Sequence, residues 1–260
     1  MSENRQLHYR RFGDAGPVCI ILHGLLGSGE NWQAPAKKLA AAGYLVYAPD
    51  MRNHGMSFHA DEMDYPVMAE DVHRLVRDLG SGPVRLIGHS MGGKIGMELA
   101  LAHPEDLEKL IVVDISPFRY KPLYANVFTA LQDIDAGALT SRSQADRQLQ
   151  AKVSDRLVRL FLLKNLRRNK DGTFYWRINL QALADNYHHI WAGIDTSRTF
   201  NKPVLFIEGE KSEAGIKLQF REITKTYPSA EYTVIRGAGH WVHSEKPRDF
   251  HDAVTGFLTD

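Results

Sequence analysis

Leu86-Ile87-Gly88-His89-Ser90-Met91-Gly92-Gly93 runs from a short apolar stretch through a Gly-x-Ser-x-Gly break into a segment of helical character. Val84–Ile87 reads as a buried strand and Lys94–Ala102 as a helix, so Ser90 sits on the tight turn between them. A turn this sharp leaves room for glycine alone two residues before and two residues after the serine. The serine hydroxyl then stands clear of the sheet edge as a candidate nucleophile. The backbone N–H of Met91, at the positive end of the following helix, points to where a tetrahedral intermediate would carry negative charge.

Working outward, apolar strand-like runs recur at Val18–Leu22, Tyr44–Ala48, Leu110–Val113, Val204–Ile207 and Tyr232–Ile235. Helical patterns at Trp32–Ala42, Pro66–Leu79, Ile216–Thr226 and Pro247–Leu258 separate most of them. This alternation predicts an α/β fold with a mostly parallel central sheet flanked by helices. Leu7–Phe12 is expected to add an antiparallel edge hairpin. The rhythm fails between about 118 and 200, where helical periodicity continues without a convincing buried strand. The expected division is therefore a core of residues 1–117 and 201–260 with an inserted helical cap, 118–200. Within the cap, Val153–Leu166 reads as an amphipathic helix whose apolar side packs on the core.

Composition narrows the function. Against 31 Asp+Glu stand 32 Lys+Arg, a formal charge of +1, which gives no overall attraction to nucleic acid or an acidic membrane. A small-molecule substrate is expected. Residues 141–170 carry nine Lys/Arg and two Asp; this reads as a solvated face or as a site attracting an anionic leaving group such as a nucleotide thiol carrier. The single cysteine, Cys19, lies in an apolar run and reads as a buried hydrophobe. The N-terminal Met1–Arg5 lacks an apolar signal core, and no run reaches the roughly 18 apolar residues of a membrane span, so a cytoplasmic protein is expected.

A serine hydroxyl needs a base, and on this architecture the base comes last in the chain, after the final strand. Gly237-Ala238-Gly239-His240-Trp241-Val242-His243 follows Tyr232–Ile235 and offers His240, with Trp241 as a packing anchor. His243 is a competing base that reads better as a helix-start or surface residue, and His89 as a packing or hydrogen-bonding neighbour. For the acid that orients His240, Asp114 ends the strand Leu110–Val113, 24 residues past Ser90. Glu210 and Glu213 follow Val204–Ile207 and are alternatives; Ser212 stands where many hydrolases of this architecture carry the acid. The second oxyanion donor is expected in His23-Gly24-Leu25-Leu26-Gly27, at the N–H of Leu25. His23 reads as a hydrogen-bonding support for that loop, and Asp50–Ser57 as a structural loop bordering the pocket. His188-His189 has no carboxylate or cysteine at a ligand-like spacing, so no metal is expected. Phe174, Tyr175, Trp176 and Tyr187 either shape the pocket or pack the cap.

Four segments occur in order: Asp50–Gly55, Gly88–Lys94, Val113-Asp114-Ile115-Ser116-Pro117 and Gly237–His243. Through them the chain resembles the α/β-hydrolase family, and within it the bacterial YbfF-type esterases and their mitochondrial ABHD11-type relatives. The similarity runs from about residue 7 to the C-terminus and includes Phe161–Asn165 and Glu245-Lys246-Pro247. The resemblance implies an α/β-hydrolase fold and an esterase or thioesterase for short-to-medium acyl chains that needs no cofactor. It also favours Asp114, since related capped hydrolases carry their acid after this earlier strand. Serine at the elbow argues against dehalogenase or epoxide-hydrolase chemistry, which uses aspartate there. A carbon–carbon bond hydrolase with the same triad and a non-catalytic hydrolase-like binder are the alternatives.

Overall fold

The computed structural model describes residues 5–122 and 125–259; residues 1–4, whose sequence bears on the signal-peptide reading, lie outside them. Nine strands are described: β1 (Tyr9–Phe12), β2 (Val18–Leu22), β3 (Leu45–Pro49), β4 (Val84–His89), β5 (Leu107–Val113), β6 (Leu166–Arg168), β7 (Phe174–Trp176), β8 (Val204–Gly209) and β9 (Ala230–Ile235). Seven form one sheet in the order β1-β3-β2-β4-β5-β8-β9. All neighbours in it run parallel except β1. β1 does not make the expected hairpin with β2: it pairs antiparallel with β3, which lies between them in the sheet. Local sequence favours the adjacent strand, whereas the crossover from β2 to β3 moves the edge one place outward.

Eleven α-helices are described: α1 (Gln33–Ala41), α2 (Tyr65–Leu79), α3 (Met91–Ala102), α4 (Ala125–Gln132), α5 (Arg142–Gln150), α6 (Arg156–Leu162), α7 (Leu180–Asp185), α8 (Tyr187–Ile190), α9 (Ile216–Thr226), α10 (Val242–Glu245) and α11 (Pro247–Thr259); α2, α3 and α9 cover one face of the sheet and α1 and α11 the other. Alternate strand residues feed separate cores, as the two-residue period of a strand requires. Ile20, Leu86, Leu110, Val112 and Phe206 pack with Met68, Val72, Ile95 and Ile223 of α2, α3 and α9. Ile21, Ile87, Ile111, Val113 and Ile207 pack on the other face with Ala36, Leu39, Phe250 and Val254 of α1 and α11.

Between β5 and β8 the chain builds α4–α8, together with a small β6–β7 hairpin that the helical reading missed. The arms of the hairpin are three residues each, too short to show alternation. Its turn is closed by Asn169 N–H to Thr173 O at 2.8 Å and by Gly172 at φ +93°. The amphipathic helix is also shorter than expected. Asp155 caps it, accepting from Leu157 N–H at 2.7 Å, and it gives way after Leu162 to a tight turn over Leu163–Asn165.

This whole segment is tied to the ends of the sheet strands and to α2 and α3. Tyr65 O–H donates to Ile190 O at 2.6 Å, and Asn165 Nδ2 donates to Leu26 O at 2.8 Å. Lys94, fully buried, donates from Nζ to Phe118 O at 2.8 Å and to Ala192 O.

Candidate active site

Ser90 lies at the end of β4 with φ +53° and ψ −119°, a conformation that an L-residue adopts only when its surroundings enforce it. The enforcement is visible. Ser90 N–H donates to Val113 O of the neighbouring strand at 2.9 Å, and Ser90 O accepts from Gly93 N–H at 2.8 Å to open α3. A side chain at Gly88 would place Cβ 2.2 Å from Gly92 O, and one at Gly92 would place it 2.4 Å from Leu22 O. Both glycines flanking the serine are therefore steric requirements.

Asp114, at the end of β5, also has a positive φ, +57°, and its N–H donates to Ile207 O of β8 at 2.8 Å. Its side chain is fully buried and accepts three hydrogen bonds: from Gly209 N–H at 2.8 Å, Ser212 O–H at 2.5 Å and His240 Nδ1–H at 2.7 Å. The Nδ1 proton of His240 is thereby committed to Asp114, which leaves Nε2 as the free nitrogen of the ring. Ser212 occupies the position at which the sequence lacked an acid, and its hydroxyl turns to the carboxylate of the neighbouring strand end. Nothing in the local sequence signals that contact. Glu210 instead accepts from Gly237 N–H at 2.8 Å, Glu208 accepts from Ile216 and Lys217 N–H at the start of α9, and Glu213 is exposed.

The 23–27 loop abuts the elbow: a Cβ on Gly24 would lie 3.3 Å from Ser90 Cβ. Two buried histidines brace it. His23 Nε2 accepts from Met51 N–H at 2.9 Å, and His54 Nε2 accepts from Leu26 N–H at 3.1 Å. Burial holds both rings below the usual histidine range, His54 down to about 3, so both stay neutral acceptors. Leu26 takes φ +61°, which leaves the neighbouring Leu25 within the loop facing the cavity. The Asp50–Ser57 loop is structural, as expected, but stands back from the cavity. It is largely buried and braces the 23–27 loop from behind.

Ser90 and His240 share one cavity of about 590 Å³ with His23, Gly24, Leu25 and Trp241. Its outer wall is α6. Leu157 and Leu160, expected to pack on the core, are 69% and 45% exposed and line this cavity together with Phe161 and Lys164. Phe161 meets Trp241 at 5.8 Å between ring centres. The basic stretch contributes little else here: Lys152, Arg159 and Arg167 pair with Asp133, Asp146 and Glu30, and Arg142 donates to Leu163 O and Leu166 O.

His243 lies in the first turn of α10, as its helix-start reading expects, and is buried, in contrast to a surface reading. It stacks on Trp32 at 4.0 Å, and burial, with the neighbouring His240 and Lys164 further opposing its protonation, depresses it to about 3. His89 donates from Nε2 to His240 O at 2.8 Å. Phe174 and Tyr187 are buried and Tyr175 is partly exposed, and with Trp176 they stand apart from the cavity wall. Among the described residues no cluster of three or more His, Cys, Asp or Glu is placed to hold a metal ion.

Residues 17–247 match the family model of the alpha/beta hydrolase fold. The chain belongs to this family. It is 40% identical over 254 residues to the sn-1-specific diacylglycerol lipase ABHD11 of Mus musculus, covering 95% of this chain and 82% of that one. It is 34% identical to Esterase YbfF of Escherichia coli K12, covering 93% and 92%. A solved structure, a marine microorganism esterase, superposes with a TM-score of 0.94 at 38% identity, covering 98% of this chain and all of that one.

Proposed function

We propose that the protein is a serine hydrolase that cleaves carboxylic esters or thioesters of short-to-medium acyl chains through an acyl-enzyme on Ser90. One observation carries the reading: His240 Nδ1–H is bonded to buried Asp114 at 2.7 Å while His240 and the strained Ser90 line one cavity. In the first step Ser90 Oγ attacks the acyl carbonyl carbon and its proton passes to His240 Nε2. Asp114 stabilises the imidazolium, and the N–H groups of Leu25 and Met91 hold the oxyanion. The leaving alcohol or thiol takes the proton from His240. Water, deprotonated by the same nitrogen, then releases the carboxylic acid and frees Ser90.

The relatives named as lipase and esterases support ester hydrolysis as the reaction class. Residues 118–200 act in this reading as a cap over the core of 1–117 and 201–260, with α6 facing the acyl chain. No helix among the described residues is long and apolar enough to cross a membrane. Burial pushes the Cys19 thiol up to about 12, so it takes no part as a nucleophile at neutral pH. Hydrolysis of p-nitrophenyl esters of graded acyl length tests the proposal. Ser90→Ala is expected to bring turnover down to background, a loss on the order of 10⁶-fold; undiminished turnover in that variant would refute it.

A further inference from the structure

His240 sits in a loop without regular structure, yet its backbone is fixed on both sides by one carboxylate. Gly239 N–H donates to Glu245 Oε2 at 2.7 Å and Trp241 N–H to Glu245 Oε1 at 3.1 Å. The carboxylate lies hard against the loop: a Cβ on Gly239 would sit 3.1 Å from Oε1 and 3.3 Å from Oε2. Glu245 also belongs to the wall of the cavity that holds Ser90 and His240. The bland account is a helix cap, since Trp241 precedes the first turn of α10 and its N–H lacks a helical partner. A cap accounts for one oxygen only. The second reaches past His240 to the amide on its other side, and bonds from neutral N–H to a carboxylate are the stronger kind.

We propose that Glu245 is a positioning residue that sets the reach of His240 toward Ser90 and Asp114; this rests on the serine-hydrolase reading above. Because the imidazole hangs from the peptide that Glu245 clamps on both sides, with both carboxylate oxygens engaged by backbone N–H groups, its loss lets His240 drift from the nucleophile. A displacement of about 1 Å at such a site is enough to cost on the order of 10²-fold in rate.

The test uses the full chain and two readouts. On a p-nitrophenyl ester, Glu245→Ala is expected to lower kcat on the order of 10²-fold with KM nearly unchanged. Glu245→Gln keeps the size and one acceptor and is expected to fall between that variant and wild type. The second readout is the rate at which a fluorophosphonate labels Ser90, a step in which Ser90 Oγ bonds phosphorus, fluoride leaves and His240 takes the hydroxyl proton. Glu245→Ala should slow labelling in the wild-type background and add nothing in a His240→Ala background, because it acts only through that ring. Multiplying losses in the double variant, or wild-type kcat in both Glu245 variants, overturns the proposal. Should Glu245→Ala fail to fold, Glu245→Gln carries both readouts. If wild type neither hydrolyses esters nor labels, or His240→Ala labels at the wild-type rate, the hydrolase reading itself fails.

Discussion

Replacing Lys94 with methionine is expected to abolish a pH dependence of stability that the structure places on this one residue. Lys94 is fully buried on α3, four residues after Ser90, with Nζ donating to Phe118 O and Ala192 O and lying 4.9 Å from the centre of the Tyr120 ring. Those contacts do not offset the removal of an ammonium from water, and burial depresses the group from 10.5 to about 7. Between those two values the unfolded chain binds a proton that the folded chain does not, so stability rises with pH across that interval and is lost as pH falls through about 7. The slope approaches about 1.4 kcal/mol per pH unit, which integrates to roughly 2 kcal/mol between pH 7 and 9 because it starts at half its maximum near pH 7. For a chain of this size that is roughly 4–8 °C in Tm. Methionine has no proton to exchange. It also leaves two part-buried carbonyls without their donor, which costs less than the about 1–3 kcal/mol of a fully buried acceptor and is partly offset by relief from burying the charge. Urea unfolding of both proteins from pH 6.5 to 9.5 isolates the effect, because every other titrating group cancels in the difference. Parallel curves would refute the reasoning.

Ser212→Ala removes one of the three donors to Asp114. A bond to a charged group is worth about 1.5–3 kcal/mol, so Tm is expected to fall by roughly 3–12 °C and kcat by about 10-fold with KM little changed; steady-state kinetics beside a thermal melt check it. Joint replacement of Leu157 and Leu160 by serine should leave stability within about 0.5 kcal/mol, since both are already exposed. It should lower kcat/KM for longer acyl esters about 10-fold relative to acetate; an equal loss along the series would remove α6 from acyl recognition.

What could be read in advance divides by range along the chain. The elbow is legible because its requirement is local: glycine at 88 and 92 answers clashes with Gly92 O and Leu22 O. The sheet is legible because strands buried on both faces are written as continuous apolar runs such as Val18–Leu22. The partner of β1 is not legible, since any neighbouring strand would accept the same residues. Nor is the side to which Leu157 and Leu160 turn: helical spacing shows that they share a face but not whether core or cavity lies opposite it. The contacts on Asp114 and His240 are the least legible. Ser212 and Glu245 look like ordinary loop and helix-cap residues until three-dimensional neighbours are known.

The site owes its geometry to a single repeated device at the ends of adjacent parallel strands. Ser90 N–H bonds Val113 O as β4 ends, Asp114 N–H bonds Ile207 O as β5 ends, and Glu210 N–H bonds Ile235 O as β8 ends. Each strand end is anchored by the next one across the sheet, one residue beyond regular pairing. That anchor is what allows Ser90 and Asp114 to turn into positive φ, at a cost on the order of 1–3 kcal/mol each, without the turn relaxing. Leu26, a third positive-φ residue, borders the same place and is braced by His54. Rigid register in a parallel sheet thus becomes fixed spacing between side chains that are 24 residues apart for Ser90 and Asp114 and 126 apart for Asp114 and His240. The remaining freedom lies in the loop that carries His240, the one member not seated on a strand end. This is why its backbone carries the extra bonds from His89 and Glu245.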